Sequence, residues 1–429
     1  MKRLLLAVTV LMLSILLIAC GSSTPDTKDF ECEFDKETNT AKIVGYNGNE
    51  KSVTIPEKLG RYTVTEIGRA AFSEEYDISE IIIPETVKSI GASAFELCIS
   101  IKTIELPKNL EKLGNAAFTS CRGLQSIYIP ETVTDIGICV FTGCTALEEI
   151  EVADTNPNYS SDRYGALLNK DQTVLIQFPL GCQRPSYEMP DTVEAIESYA
   201  FEKADYVESI TFSPNLKTIG SYAFQSSAIR SASLGSKLES IGSFAFNESK
   251  LKEIELGNSL KTIGDAAFSW CTSLSTVSLP DSVESIGSSA FYMCTSVEKY
   301  SVGESNKAFC SDEAGVLFDK DMTTLLYYPV ARTAEEYTVP DSVNTISSRA
   351  FSPCLPLSKV IIPNSVESIG EEAFAQCANL TSVTINDTPP QSCSKTAFDE
   401  KVVFTYLDNS DDLADHQALI KSFEESIGR

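Results

Sequence analysis

The chain has 429 residues, 43% of them apolar, with a formal charge of -26 at pH 7 and a single histidine. That apolar share is enough for a buried core and argues against disorder or a bundle of membrane helices. The acidity speaks against nucleic acid and anionic headgroups as electrostatic partners, because like charges repel.

The first element is "MKRLLLAVTVLMLSILLIACGSS", two cations followed by a mostly apolar run from Leu4 to Ala19 and then small residues. A spanning helix needs about 20 apolar residues, so the run reads as a secretory signal over residues 1–19. Leu17, Ile18, Ala19 and Cys20 resemble the lipobox of bacterial lipoproteins, which implies cleavage after Ala19 and a lipid on Cys20; an ordinary signal peptide ending near a cysteine is the alternative. Losing Lys2 and Arg3 would take the charge from -26 to -28, that is, -26 - 2. Residues 20–29 then form the lipidated cysteine and a polar tether. The expected location is extracytoplasmic and surface-exposed, held to the bacterial membrane by the lipid alone.

Residues 30–54 contain "FECEFDKETNTAKIVGYNG", apolar and polar by turns around "DKETN", which predicts a β-hairpin capping the first coil. From 55 to 398 one unit recurs, marked by Phe72, Phe95, Phe118, Phe141, Phe201, Phe224, Phe246, Phe268, Phe291, Phe351, Phe374 and Phe398, at intervals of 23, 23, 23, 60, 23, 22, 22, 23, 60, 23 and 24. Its consensus is I-x-I/L-P-x-S/T-V-x-x-I-G-x-x-A-F-x-x-C-x-x-L-x-x. So short a unit cannot bury its own apolar side, and neighbours must stack on one continuous core. The triplet before Pro or Gly, as in "SIYIP", predicts a short strand. "VESIG" predicts a second extended piece whose Gly serves a turn with positive φ.

The combination of "SIG", "AF", "C-x-x-L" and "I-x-I-P" resembles the BspA-type leucine-rich repeats of bacterial surface proteins. The resemblance implies a curved right-handed solenoid with a parallel concave sheet. It also implies work as an adhesin or host-matrix binder. The expected fold class is therefore a β-rich leucine-rich repeat solenoid with two hairpin insertions and end caps.

The two gaps of 60 hold the same text: "YGALLNKDQTVLIQFP" at 164–179 and "AGVLFDKDMTTLLYYP" at 314–329. Two alternating runs around "NKDQ" or "DKDM" predict hairpin insertions at about 152–190 and 302–340, relics of a duplicated block of about 150 residues. Such an insertion can protrude as a ligand contact. Apolar Leu167, Leu175, Leu317 and Leu325 favour instead a widened coil packed on itself. The last segment, 399–429, reads as a strand and a short amphipathic helix with Leu413, Leu419, Ile420 and Phe423 on one side, a second cap.

Of thirteen cysteines, Cys98, Cys121, Cys144, Cys271, Cys294, Cys354 and Cys377 sit three residues after the repeat Phe, where other units have Ala204, Ser227 and Ser249. A slot that accepts Ala and Ser demands small size, so a ladder of reduced thiols is expected. Cys32, Cys139, Cys182, Cys310 and Cys393 follow no pairing pattern, and disulfides among them stay open.

No catalytic set, cofactor or metal site is expected. A Cys-His or Ser-His pair would have to use His416 in the capping helix, and CxxC pairs, phosphate loops and the EF-hand spacing are all missing from the sequence. Binding is the expected function, and its column is the middle outward position of the strand triplets: Ile82, Glu105, Tyr128, Glu151, Thr211, Ser233, Glu255, Ser278, Ser301, Ile361 and Thr384. Tyr128 between Glu105 and Glu151 offers ring area flanked by acceptors, suited to a protein or glycan of a host or neighbouring cell. A plain solvated strand face fits the same column. A carboxylate-dependent hydrolase or a passive envelope scaffold are the other readings.

Overall fold

The computed structural model describes residues 28–386, 389–406, 418, 421–425 and 427–428. The signal, Cys20, Leu413, His416, Leu419 and Ile420 lie outside the described residues. The chain divides into two compact units, Met1–Tyr159 and Ser160–Arg429.

The first unit opens with the expected hairpin: Phe30–Asp35 pairs antiparallel with Thr40–Tyr46, and Asn39 takes φ 54° in the turn. Each following coil then lays down two short strands. One set precedes the prolines: Ser52–Thr54 with Glu80–Ile82, and Thr103–Ile104 with Ser126–Ile129 and Glu149–Val152, all parallel. The other precedes the glycines: Thr40–Tyr46, Tyr62–Ile67, Ser89–Ile90, Lys112–Leu113 and Asp135–Ile136, again parallel. Strands end early because Pro has no N–H for the ladder. Within Ser126–Ile129, Ile127 and Ile129 point inward while Ser126 and Tyr128 face out, the period of two that a half-buried strand requires.

A third ladder runs through the Phe turns. Ala70, Phe72 and Glu74 donate their N–H groups to the carbonyls of Ala92, Ala94 and Glu96 at 2.8 to 2.9 Å. Alternate groups face the next coil because residues two before and two after the Phe are left-handed, as at Ser93 (φ 55°) and Leu97 (φ 63°). The expected positive φ at the "SIG" glycines is absent, and contact is what they serve. A Cβ on Gly114 would lie 2.5 Å from Ala92 N and 2.6 Å from Gly91 C, so successive coils meet backbone to backbone there.

In the second unit the insertions are hairpins, Leu167–Asn169 with Val174–Gln177 and Leu317–Asp319 with Thr324–Tyr327. Their second arms open glycine-side ladders, Val174 pairing with Ala195 and Thr324 with Thr345. Leu167, Leu175, Leu317 and Leu325 are fully buried, so each hairpin is a widened coil packed on its neighbours. Proline-side strands run from Ser186–Glu188 to Glu253–Glu255, from Thr276–Leu279 to Lys299–Val302, and from Glu336–Thr338 to Val403–Tyr406. At the end, Phe404 meets buried Phe423 of the helical stretch 421–425 edge-on at 5.3 Å, covering the last apolar face.

Candidate functional site

The interior is built of two columns whose chemistry is closed. The repeat phenylalanines stack coil on coil: Phe72, Phe95 and Phe118 at 5.3 Å with near-parallel rings, and Phe201, Phe224 and Phe246 at 4.8 and 4.9 Å. Phe178 and Tyr328 join these columns, 4.9 Å from Phe201 and 4.8 Å from Phe351. Each 60-residue gap therefore hides one further coil. The signal was present, 23 residues from Phe178 to Phe201 and from Tyr328 to Phe351, but Gln177 and Tyr327 replace the Ala of the "AF" marker.

The seven cysteines form the expected thiol ladder. Cys98, Cys121 and Cys144 donate to the carbonyls of Phe72, Phe95 and Phe118 in the preceding coil at 3.0 Å, and Cys271, Cys294 and Cys377 do the same to Phe246, Phe268 and Phe351 at 3.0, 3.1 and 3.3 Å. Cys354 reaches Val330 O at 3.8 Å. Burial pushes the Cys144, Cys271 and Cys377 thiols up to about 12 and Cys354 up to about 11. Neutral, enclosed thiols are neither nucleophiles nor metal ligands at neutral pH. Among the described residues, no three His, Cys, Asp or Glu side chains gather as a metal site requires.

The duplicated insertions share buried polar anchors that the sequence reading passed over. Asn156 donates to Pro130 O and Val133 O at 2.8 and 2.9 Å and accepts from the N–H groups of Asn158 and Tyr159 at 2.9 Å. Asn306 repeats this with Pro280, Val283, Ala308 and Phe309. Both amides have two donated and two accepted bonds, so they hold structure and offer nothing to a ligand.

The outward column is where chemistry stays open. Tyr128 is 49% and Ile82 51% exposed, and Glu105 and Glu151 are exposed beside them. Tyr128 pairs in register with Glu151, and the pairing of Ile127 with Ile104 puts Glu105 on its other side. The structure thus brings Glu105, Tyr128 and Glu151 onto one sheet face of the first unit. Thr211, Ser233, Glu255 and Ser278 also face out, whereas Ser301 and Ile361 are half-buried. Thr384 departs from expectation at 5% exposure: it lies in register between Ile361 and Thr405, its hydroxyl 3.0 Å from that of Thr405. Glu188 and Thr338 belong to the column and were missed, because their strands lie inside the 60-residue gaps.

Acids on the two faces of the first unit differ in their partners. On the glycine side, Lys42 pairs with Glu66 and Lys88 with Glu111 at 3.0 Å, and Lys112 pairs with Asp135. On the proline side, Glu105, Glu149 and Glu151 have no cation within 4.0 Å among the described residues.

Stacked two-strand coils around a phenylalanine column define a leucine-rich repeat solenoid. The BspA type leucine rich repeat region, in 6 copies, matches residues 46–164, 180–311 and 330–414, and the chain belongs to that family. Among solved structures it is similar to a leucine-rich repeat protein from Bacteroides ovatus, with 24% identity over 89% of this chain and 98% of that one at a TM-score of 0.49. A leucine-rich repeat protein from Eubacterium ventriosum shows 21% identity over 82% and 93% at 0.49. The pneumococcal vaccine antigen PcpA shows 20% over 92% and 95% at 0.43. No curated protein matches the chain.

Proposed function

We propose that the protein is a lipid-anchored bacterial surface protein whose repeats bind a macromolecule of a host or neighbouring cell, as an adhesin and not as a catalyst. Residues 1–19 are removed, Cys20 carries the lipid, 20–29 form the tether, and the solenoid from 55 to 398 between its caps presents the binding face. One observation carries the reading. A tyrosine half open to solvent stands on a repeated sheet face between two exposed carboxylates, while the interior columns are spent on packing. Family membership agrees with a protein-binding role.

The test is a binding screen of the chain from Gly21 onward against matrix proteins, mucins and a glycan array. Saturable binding to any of them supports the adhesin. Uniform failure, together with co-purification of envelope proteins, favours the passive scaffold. For the anchor, Cys20→Ser is expected to release the protein from membranes, read by fractionation.

A further inference from the structure

The proline-side face of the first unit reads, coil by coil at the outward centre, Thr54, Ile82, Glu105, Tyr128 and Glu151, with Glu80, Thr103, Ser126 and Glu149 beside them. Thr103–Ile104 and Ser126–Ile129 are hydrogen-bonded neighbours, about 4.8 Å apart, and Glu80–Ile82 packs beside Thr103–Ile104 without pairing to it, so Ile82 and Tyr128, two coils apart, are separated by about 10 Å with Glu105 between them. Two large apolar side chains, each about half exposed, thus alternate with carboxylates. The strands in this stretch carry no lysine or arginine, and the cations nearest to Glu105 in sequence, Lys102 and Lys108, flank the strand outside ion-pair distance of Glu105, Glu149 and Glu151. Elsewhere on the proline-side and glycine-side ladders, acids have found partners in an adjacent coil: Glu111 with Lys88, Glu208 with Arg230, Glu336 with Lys359, and Glu255 with the Ser233 hydroxyl. The fold can therefore supply a cross-coil cation or hydroxyl to a ladder acid, and at Glu105, Glu149 and Glu151 none among the described residues stands within bonding distance.

We infer that this face takes a basic protein segment, with an arginine or lysine laid on the Tyr128 ring between Glu105 and Glu151 and an apolar side chain against Ile82. The inference rests on the adhesin reading and names the chemistry of its partner. A ring face attracts a cation, and the two flanking carboxylates hold its N–H groups. A guanidinium suits the place best, since its flat fork can stack and pair at once. The spacing of about 10 Å corresponds to roughly three residues of extended chain. Charge complementarity disfavours an acidic partner.

The probes are synthetic peptides bearing arginine and leucine three residues apart, their counterparts with glutamate for arginine, and neutral oligosaccharides, each titrated against the chain from Gly21 onward. The arginine peptides are expected to bind and the glutamate peptides not. Glu105→Gln with Glu151→Gln should weaken binding about tenfold and flatten its salt dependence. Glu66→Gln with Glu111→Gln removes the same charge from the glycine-side face and should change affinity less than twofold. Tyr128→Phe should retain binding and Tyr128→Ala lose it. Equal losses from the two glutamine pairs would overturn the inference, because the attraction would then be to net charge alone. Binding only to neutral oligosaccharides would overturn it while leaving the adhesin reading intact. Failure of every peptide, sugar and matrix protein would count against both.

Discussion

The column under Phe118 and the column through Tyr128 lie in the same coils and obey opposite rules. Inside, Phe95, Phe118 and Phe141 stack in register, with Cys98, Cys121 and Cys144 bonded to the carbonyls behind them. Outside, the same coils present Ile82, Glu105, Tyr128 and Glu151, no two neighbours alike. Repetition marks what the coils need from one another. Variation marks what they are free to offer a partner.

The largest expected effect separates the columns by pH. In the unfolded chain a thiol ionises near 8.5, whereas the buried thiols of the ladder hold their protons up to about 11 or 12. Above the unfolded value, the unfolded state binds fewer protons than the folded one. Stability is then fully present below about pH 8.5 and is lost as pH rises toward 12, by about 1.4 kcal/mol per pH unit for each thiol. Urea unfolding from pH 7 to 11 should show this loss, and Cys144→Ala should make it shallower. The same thiols should resist disulfide-exchange reagents at pH 8 until the chain unfolds.

Next in size, Phe118→Ala is expected to destabilise by about 3–5 kcal/mol in urea unfolding, the usual result of emptying a buried ring site. Tyr128→Ala, ten residues on, should change stability by no more than about 0.5 kcal/mol. Similar losses from both would erase the distinction between the columns. Gly114→Ala comes third, at about 1–3 kcal/mol, since its Cβ would press on Ala92 N and Gly91 C.

The smallest effect is a gain. Ser227 occupies the thiol slot with its hydroxyl buried and unbonded, and Ser227→Cys should add about 1 kcal/mol by reaching the Phe201 carbonyl as its counterparts do. No gain in unfolding midpoint would mean that the thiol bonds are incidental to the packing.

The interior was legible because its needs recur: the Phe spacing announced the coils, and Ala204, Ser227 and Ser249 in the cysteine slot announced size as the constraint. Leu167 and Leu325 gave away the packing of the hairpins. What escaped depended on contacts between coils. Glycine's conformational freedom drew attention to a turn, while the need at Gly114 is room beside Ala92, visible only once coils are stacked. Phe178 and Tyr328 kept the period but not the letters around them. Asn156 and Asn306 gave no periodic signal at all, because each is an isolated anchor. Of the site, the grouping of Glu105, Tyr128 and Glu151 followed from the strand period, whereas the lack of partners for those acids required the positions of every lysine around them.

The most direct measurement is on Tyr128→Ala, with thermal unfolding and binding followed on the same preparation against whichever matrix protein or peptide the unaltered chain retains. The account predicts an unchanged unfolding temperature and lost binding. Retained binding, or a loss that appears only together with unfolding, would contradict it.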